Sequence, residues 1–325
     1  MLVSGQLWEV RKAVRPWLIE KNQTYLFGCS GGIDSLALAA ALFLESKGNT
    51  VIPVVVDHGL QSDSAKVAAN AVSELEKIGF TKVECAKANV QIVDGLEASA
   101  RRARYEVFNS FIQNYNPKYF FLAHTLNDQA ENVILGLVRG SGTRSLSGMA
   151  EQNGRFIRPL LNLSRAETEA ASIEANLNPW NDPHNLDERF TRVKIRKNVI
   201  PNLMENLGDK VVDSLARSAH LMRIDADALD ELANNFWQEH KSSFQTQNRI
   251  QIEVAKLSTL NLAIRNRVLR LAIYEAGAPS GSISADMLFG VEALISDWHG
   301  QGVISLPGNV KVLRDSGTII LSQSN

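Results

Sequence analysis

An α/β fold, built on a doubly wound parallel sheet and followed by a smaller α+β domain, is what the order of residues predicts. Three observations carry that expectation. Four short apolar runs recur early in the chain, at 24–29, 51–56, 82–86 and 119–123, with stretches of helical periodicity between them. Val54-Val55-Val56 and Phe120-Phe121-Leu122 are continuous rather than alternating, as strands buried on both faces require. Beyond residue 241 the rhythm changes to a strand, two helical patterns and three short alternating strands, the last three separated by the turns Pro307-Gly308-Asn309 and Asp315-Ser316-Gly317.

The first run, Thr24–Cys29, leads into Ser30-Gly31-Gly32-Ile33-Asp34-Ser35 and then an apolar helical pattern to Glu45. That is a strand, a glycine-rich turn and a helix. Such a turn aims backbone N–H groups and a helix N-terminus at one point, where a phosphate chain can sit. Gly31 and Gly32 permit a close approach that a Cβ would block. Ser30 and Ser35 add hydroxyl donors, and Asp34 is placed to hold a metal ion. The turn lacks the Gly-Lys-Ser/Thr of a Walker A loop and is not a Gly-x-Gly-x-x-Gly fingerprint. Further helical patterns are read at 64–78, 96–114 and 128–138. Ligands of such sheets bind beyond the carboxyl ends of the strands, here at Ser30, Asp57, Asn89 and His124.

Other residues carry weaker signals, each with a plain structural alternative. Asp57, before His58-Gly59, is either a nucleotide contact or a turn former. Glu97, Arg101, Arg104 and Tyr105 fall on one helix. Their default is a solvated face, but the Arg104 guanidinium suits a phosphate. His124 closes the fourth strand and Asn127 is an expected N-cap. Asp128 and Glu131, three apart on the next helix, either oppose its dipole or receive an ammonium ion. Residues 140–148, rich in Gly and Ser, form either a surface loop or a mobile one with Arg144 as its charged tip. Residues 189–197 hold five basic residues and no acidic one. With Phe190, Val193 and Ile195 as anchors, Arg192 and Arg196 are expected to face a nucleic-acid backbone.

The chain has 325 residues, and two domains are expected, 1–214 and 215–325, joined through a long helical pattern at 208–241. A formal net charge of -1 excludes a global basic field, so RNA must be met by a local patch. Two isolated cysteines, Cys29 and Cys85, argue against a disulfide framework or a cysteine-ligated metal. No signal-like N-terminus and no long apolar window are evident, so a cytoplasmic protein without a membrane span is expected. The oligomeric state is not fixed by sequence; a homodimer is one expectation.

The turn at 30–35 resembles the pyrophosphate loop of the N-type ATP pyrophosphatase superfamily, whose members cleave ATP between the α and β phosphates. Val56–Leu60, Arg101–Tyr105, Leu122–Met149 and Arg158-Pro159-Leu160-Leu161 extend the likeness. Asp182-Pro183-His184-Asn185, Phe190-Thr191-Arg192 and Ile195-Arg196 extend it further. Together they resemble tRNA(Ile)-lysidine synthetase over about residues 20–205, with 124–149 the most specific part. The resemblance implies an adenine nucleotide alpha hydrolase-like fold. It implies ATP-dependent ligation of free L-lysine to C2 of the wobble cytidine in a CAU-anticodon isoleucine tRNA. The reaction runs through an adenylated cytidine and releases AMP and pyrophosphate. It further implies ATP and Mg²⁺ as cofactors, with Ser30, Gly31, Gly32, Ile33, Asp34, Ser35 and Asp57 at the nucleotide and Asp34 at the metal. Arg104 and His124 would serve the adenylating centre with Asp34, Asp128 and Glu131 the lysine, and Arg144, Arg192 and Arg196 the tRNA. Gln61 stands where many relatives carry arginine. Longer relatives have a further C-terminal domain, which this chain is expected to lack.

Overall fold

The computed structural model describes residues 4–59, 64–92, 95–180, 187–246 and 249–324. Gln61 and the Asp182–Asn185 motif lie outside them, as does the side chain of Glu97. The chain forms two compact units. The first holds residues up to Arg139 and Gly148–Ala219; the second holds Gly140–Ser147 and His220 onward.

In the first unit α1 (Gln6–Val14) precedes β1 (Thr24–Cys29), α2 (Ile33–Glu45), β2 (Thr50–Asp57), α3 (Ser64–Ile78), β3 (Glu84–Lys87), α4 (Leu96–Tyr115), β4 (Tyr119–Phe121) and α5 (Leu126–Val138). After α6 (Thr143–Leu146), which belongs to the second unit, come β5 (Gln152–Asn153), β6 (Phe156–Ile157) and α7 (Arg165–Glu174). Then α8 (Thr191–Lys194) runs through a π-helical turn, Ile195–Val199, into α9 (Ile200–Leu207). The sheet order is β3-β2-β1-β4-β6-β5, parallel except for the β5–β6 edge. The chain winds outward from β1 to β3, then returns to place β4 on the other side of β1. The strand order therefore reverses beside β1, at the crevice where α/β sheets bind ligands.

Strand periodicity explains why both sheet faces are covered. Tyr25, Phe27 and Cys29 of β1 point into a core with α1, α2, α3 and α7. Leu26 points the other way, into a core with Phe108 of α4 and Phe120. A Cβ on Gly28 would lie 2.9 Å from Phe108 Cζ, so this glycine is what lets α4 close on the sheet. Helix α2 is apolar all round and buried from Ser35 to Leu42, as a helix enclosed by other elements must be. Helix α4 stops at Asn116, left-handed at φ 43°, just before Pro117.

The second unit contains α10 from His220 onward (Val211–Phe244 in full), β7 (Gln245–Thr246), β8 (Arg249–Glu253), α11 (Val254–Ser258), α12 (Leu262–Glu275), α13 (Ala285–Ser296), β9 (Ile304–Leu306), β10 (Val310–Asp315) and β11 (Thr318–Gln323). Its antiparallel sheet runs β7-β8-β11-β10-β9 over a core with α12 and α13. The expected tight turns at Pro307–Asn309 and Asp315–Gly317 join its last three strands.

Three local expectations are corrected. Thr125, not Asn127, caps α5, because Asp128 three residues on completes a capping box with it. Helices α1 and α7 and the short β5–β6 hairpin were not expected; Asn153-Gly154 was the overlooked turn signal. The long helix begins at Val211, after Gly208 at φ 98°.

Gly308 generates a test. It sits at φ 76°, and a Cβ there would lie 2.5 Å from the Gly277 carbonyl oxygen. Gly308→Ala should destabilise the second unit by about 2 kcal/mol or more. Amide hydrogen exchange should quicken in β9–β11 and not in β1–β4; equal quickening in both sheets would contradict separate cores.

Candidate active site

A cavity of about 350 Å³ opens at the carboxyl ends of β1, β2 and β4, within the first unit. Its floor is the turn after β1. Gly31 takes φ 76°, a conformation open to glycine, and Ala71 Cβ lies 3.0 Å from where its own Cβ would be. The Ser35 hydroxyl, donating to the Gly32 carbonyl at 2.9 Å, braces the turn from inside. The Ser30 backbone N–H donates back to it at 3.3 Å. The Trp180 backbone N–H donates to the Gly31 carbonyl at 2.9 Å. The carbonyls are thus tied into protein, and the N-terminus of α2 faces the cavity with Gly32 as its N-cap.

Asp34, in the first turn of α2, lines this cavity. The Thr168 hydroxyl of α7 donates to its carboxylate. Burial pushes the Asp34 carboxyl above its usual range, against the pull of Thr168 and the nearby Arg165. A carboxylate in that condition gains from a cation. Asp57 also lines the cavity, but its Oδ1 accepts the Gly59 N–H at 2.9 Å, the Asx geometry of a turn former. Asn89 does not line the cavity, since β3 lies two strands from β1.

His124 and Arg104 form the opposite wall. Tyr105 packs edge-on against Phe108 and Phe156, which holds this part of α4 against the sheet. The Arg104 guanidinium has no hydrogen-bond or ion-pair partner among the described residues. Burial lowers its pKa, as does the neighbouring Arg101. Burial also drives the His124 imidazole down to about 3, with Arg158, Arg101 and Arg104 adding to the effect and Asp128 opposing it. The ring is therefore neutral at physiological pH, and its buried Nδ1 has no hydrogen-bond partner among the described residues.

Asp128 and Glu131 share the first turns of α5, but their surroundings differ. Asp128 Oδ2 accepts the Thr125 N–H at 2.8 Å, and Oδ1 lies 3.6 Å from Arg196 Nη2. Glu131 has no exposed surface, and both its oxygens are taken. Arg192 Nε donates to Oε2 at 2.8 Å; Arg196 donates to Oε1 at 2.6 Å and to Oε2 at 3.1 Å. This corrects two expectations. Glu131 is not an open receptor for an ammonium ion, and Arg192 and Arg196 are not a solvent-facing phosphate patch. They turn inward because Val193 and Ile195 bury beside them and residues four apart share a face. Arg196, in the π-helical turn, reaches the cavity itself. Of the same basic segment, Arg189 pairs with Asp187 and Lys197 with Glu188.

Arg144 lies in the second unit, bound to Asp227 at 2.6 Å and to Asp230, which also takes Arg267. In this structure its guanidinium is neutralised rather than presented to a ligand. Sequence reasoning missed Arg165 and Thr168. Both come from α7, whose start is marked by Ser164 and Glu167, a capping box readable three residues apart.

Comparison with known proteins decides the family. Residues 6–203 match the PP-loop domain, and residues 253–319 match the TilS substrate binding domain. The chain is 44% identical over 308 residues to the tRNA(Ile)-lysidine synthase of Leifsonia xyli subsp. xyli, covering 94% of this chain and 91% of that one. It is 43% identical over 303 residues to the tRNA(Ile)-lysidine synthase of Streptomyces coelicolor, covering 92% and 85%. The chain belongs to the tRNA(Ile)-lysidine synthase family. Among solved structures it is similar to the U34-tRNA thiolase NcsA from Methanococcus maripaludis with its [4Fe-4S] cluster. There the TM-score is 0.56 at 18% identity, over 67% of this chain and 80% of that one, which speaks for the fold alone.

The cavity, with the turn at 30–35 as its floor, lies wholly within the residues matched to the PP-loop domain. Among the described residues no group of three or more His, Cys, Asp and Glu side chains could hold a metal by itself. A hard cation that keeps most of its ligands from water and phosphate needs only one or two carboxylates, and Asp34 fits that demand. No described helix is long and apolar enough to cross a membrane.

Two tests follow from this geometry. Glu131→Ala leaves two guanidinium groups facing each other and should cost roughly 3–5 kcal/mol in urea unfolding; a loss under about 0.5 kcal/mol would show the cluster to be incidental. His124 is neutral when folded but protonates below its usual value of about 6.5 when unfolded. Its contribution to stability is complete above that pH and is lost as pH falls toward 3. In NMR its ring should not titrate between pH 5 and 8; a midpoint near 6.5 would disprove the buried neutral state.

Proposed function

We propose that this protein joins the ε-amine of free lysine to C2 of the wobble cytidine of a CAU-anticodon isoleucine tRNA, in the cytoplasm, releasing AMP and pyrophosphate. One observation carries the reading: a single cavity brings together the PP-loop turn, Asp34, Arg104 and His124, beside Asp128 on the next helix. Membership of the lysidine synthase family supports a tRNA substrate and ATP use, as does the match of residues 253–319 to the TilS substrate binding domain. A sulfur-inserting alternative is disfavoured by the cysteines. The chain has two, Cys29 and Cys85, both free, and burial raises the Cys29 thiol.

The residues divide the work along the cavity. The N-terminus of α2 with Ser30 would cradle the β and γ phosphates of ATP, on a turn that Ser35 braces from within. Asp34 would hold Mg²⁺, which when bound would offset the charge of the departing pyrophosphate. Arg104, without a partner among the described residues, would stabilise negative charge on the α-phosphate as the 2-oxo group of cytidine attacks it. Neutral His124 would hydrogen-bond the same centre without adding charge. Asp128 keeps Oδ1 less engaged than Oδ2 and would bind the lysine ammonium, whose unperturbed pKa of about 10.4 means that it must lose a proton before attack. Glu131 would act on substrate only through Arg192 and Arg196, as a positioning residue.

The test is mass analysis of nucleosides from unmodified isoleucine tRNA after incubation with ATP and labelled lysine. Lysidine carrying the label, with AMP as the spent nucleotide, is expected; ADP, or an unmodified cytidine, would refute the reading. Asp34→Asn should lower the rate on the order of 100-fold or more while tRNA binding persists.

A further inference from the structure

Helix α7 carries a site component that the family resemblance did not assign. Its first residue, Arg165, lines the same cavity as Ser30 and Asp34. The helix is pinned there from two sides. The Arg165 backbone N–H donates to Asn127 Oδ1 of α5 at 2.9 Å. One turn on, the fully buried Thr168 hydroxyl reaches Asp34 of α2. Ser164 and Glu167 cap the start with reciprocal bonds.

The guanidinium of Arg165 is treated differently. It is half-buried, yet among the described residues it has no hydrogen-bond or ion-pair partner. Arg196, by contrast, is committed to Glu131. A cation carried on a pinned helix and left without a partner among the described residues is placed for an anion that arrives from outside. Position narrows which anion. Arg165 acts on Asp34, beside the PP-loop, whereas Arg101, Arg104 and Arg158 act on His124 at the other wall. Of the cations that line the cavity, Arg165 thus lies on the Asp34 side and Arg104 on the His124 side.

We propose that Arg165 is a substrate-contacting residue that grips the pyrophosphate half of ATP beside Asp34, with Arg104 serving the α-phosphate. This rests on the reading that the cavity takes ATP. Arg165 holds the leaving group while Arg104 and His124 serve the phosphorus under attack.

Calorimetric titration of the intact protein, with Mg²⁺ present, tests the division. The ligands are ATP, AMP and inorganic pyrophosphate, and the proteins are wild type, Arg165→Ala and Arg165→Lys. Arg165→Ala should weaken ATP and pyrophosphate roughly 10- to 100-fold and leave AMP nearly unchanged. Arg165→Lys, which keeps the charge without the fork, should recover part of the loss and carries the test should the alanine variant not fold. Unchanged pyrophosphate affinity in both variants, or an equal loss for AMP, would overturn the assignment. Wild-type protein that binds AMP and pyrophosphate but not ATP would refute the ATP reading itself, whatever the variants do.

Discussion

A buried carboxylate with no access to water organises this active site. Glu131 sits inside the first unit, where an isolated negative charge would cost several kcal/mol. Arg192 and Arg196 remove that cost, and in doing so fasten the α8–α9 segment to α5. The same contacts fix Arg196 at the cavity, with Asp128 on one side and Asp34 within its field. The geometry of three sequence-distant elements thus depends on one electrostatic constraint.

The topology supplies the place where that constraint is useful. Reversal of strand order beside β1 leaves a crevice between the loops after β1 and β4. Ser30 to Ser35 descend into it from one side, and His124 from the other. Desolvation then works in two directions. It keeps His124 neutral and raises the Asp34 carboxyl, so one wall offers an uncharged ring and the floor offers a carboxylate in need of a cation. Among the described residues neither the Arg104 nor the Arg165 guanidinium has a hydrogen-bond or ion-pair partner, and both line the cavity.

The second unit shows how neutralisation can hide a residue that looks functional. Arg144 stands in a Gly- and Ser-rich stretch, the setting of many mobile loops. In the structure two aspartates of α10 take its two terminal guanidinium nitrogens, and Asp230 is shared with Arg267. The segment 140–147 accordingly belongs to this unit, although the chain on either side of it belongs to the first.

What the amino-acid order determined by itself was local. Continuous apolar runs required buried parallel strands, and the Ser-Gly-Gly-x-Asp-Ser turn between strand and helix fell at the cavity beyond the strand ends. His124 and Arg104 were legible because strand ends and helix faces follow from periodicity. The partners of charged groups were not legible. Glu131 and the arginines at 192 and 196 are some sixty residues apart, so nothing in either stretch says that each neutralises the other. Helix α7 escaped notice because its apolar face is short, although its cap was readable. Tertiary structure alone decided which charges face solvent, which are spent on one another, and which remain for a ligand. Coulombic pairing depends on distance in space and on burial, and neither is encoded by spacing along the chain.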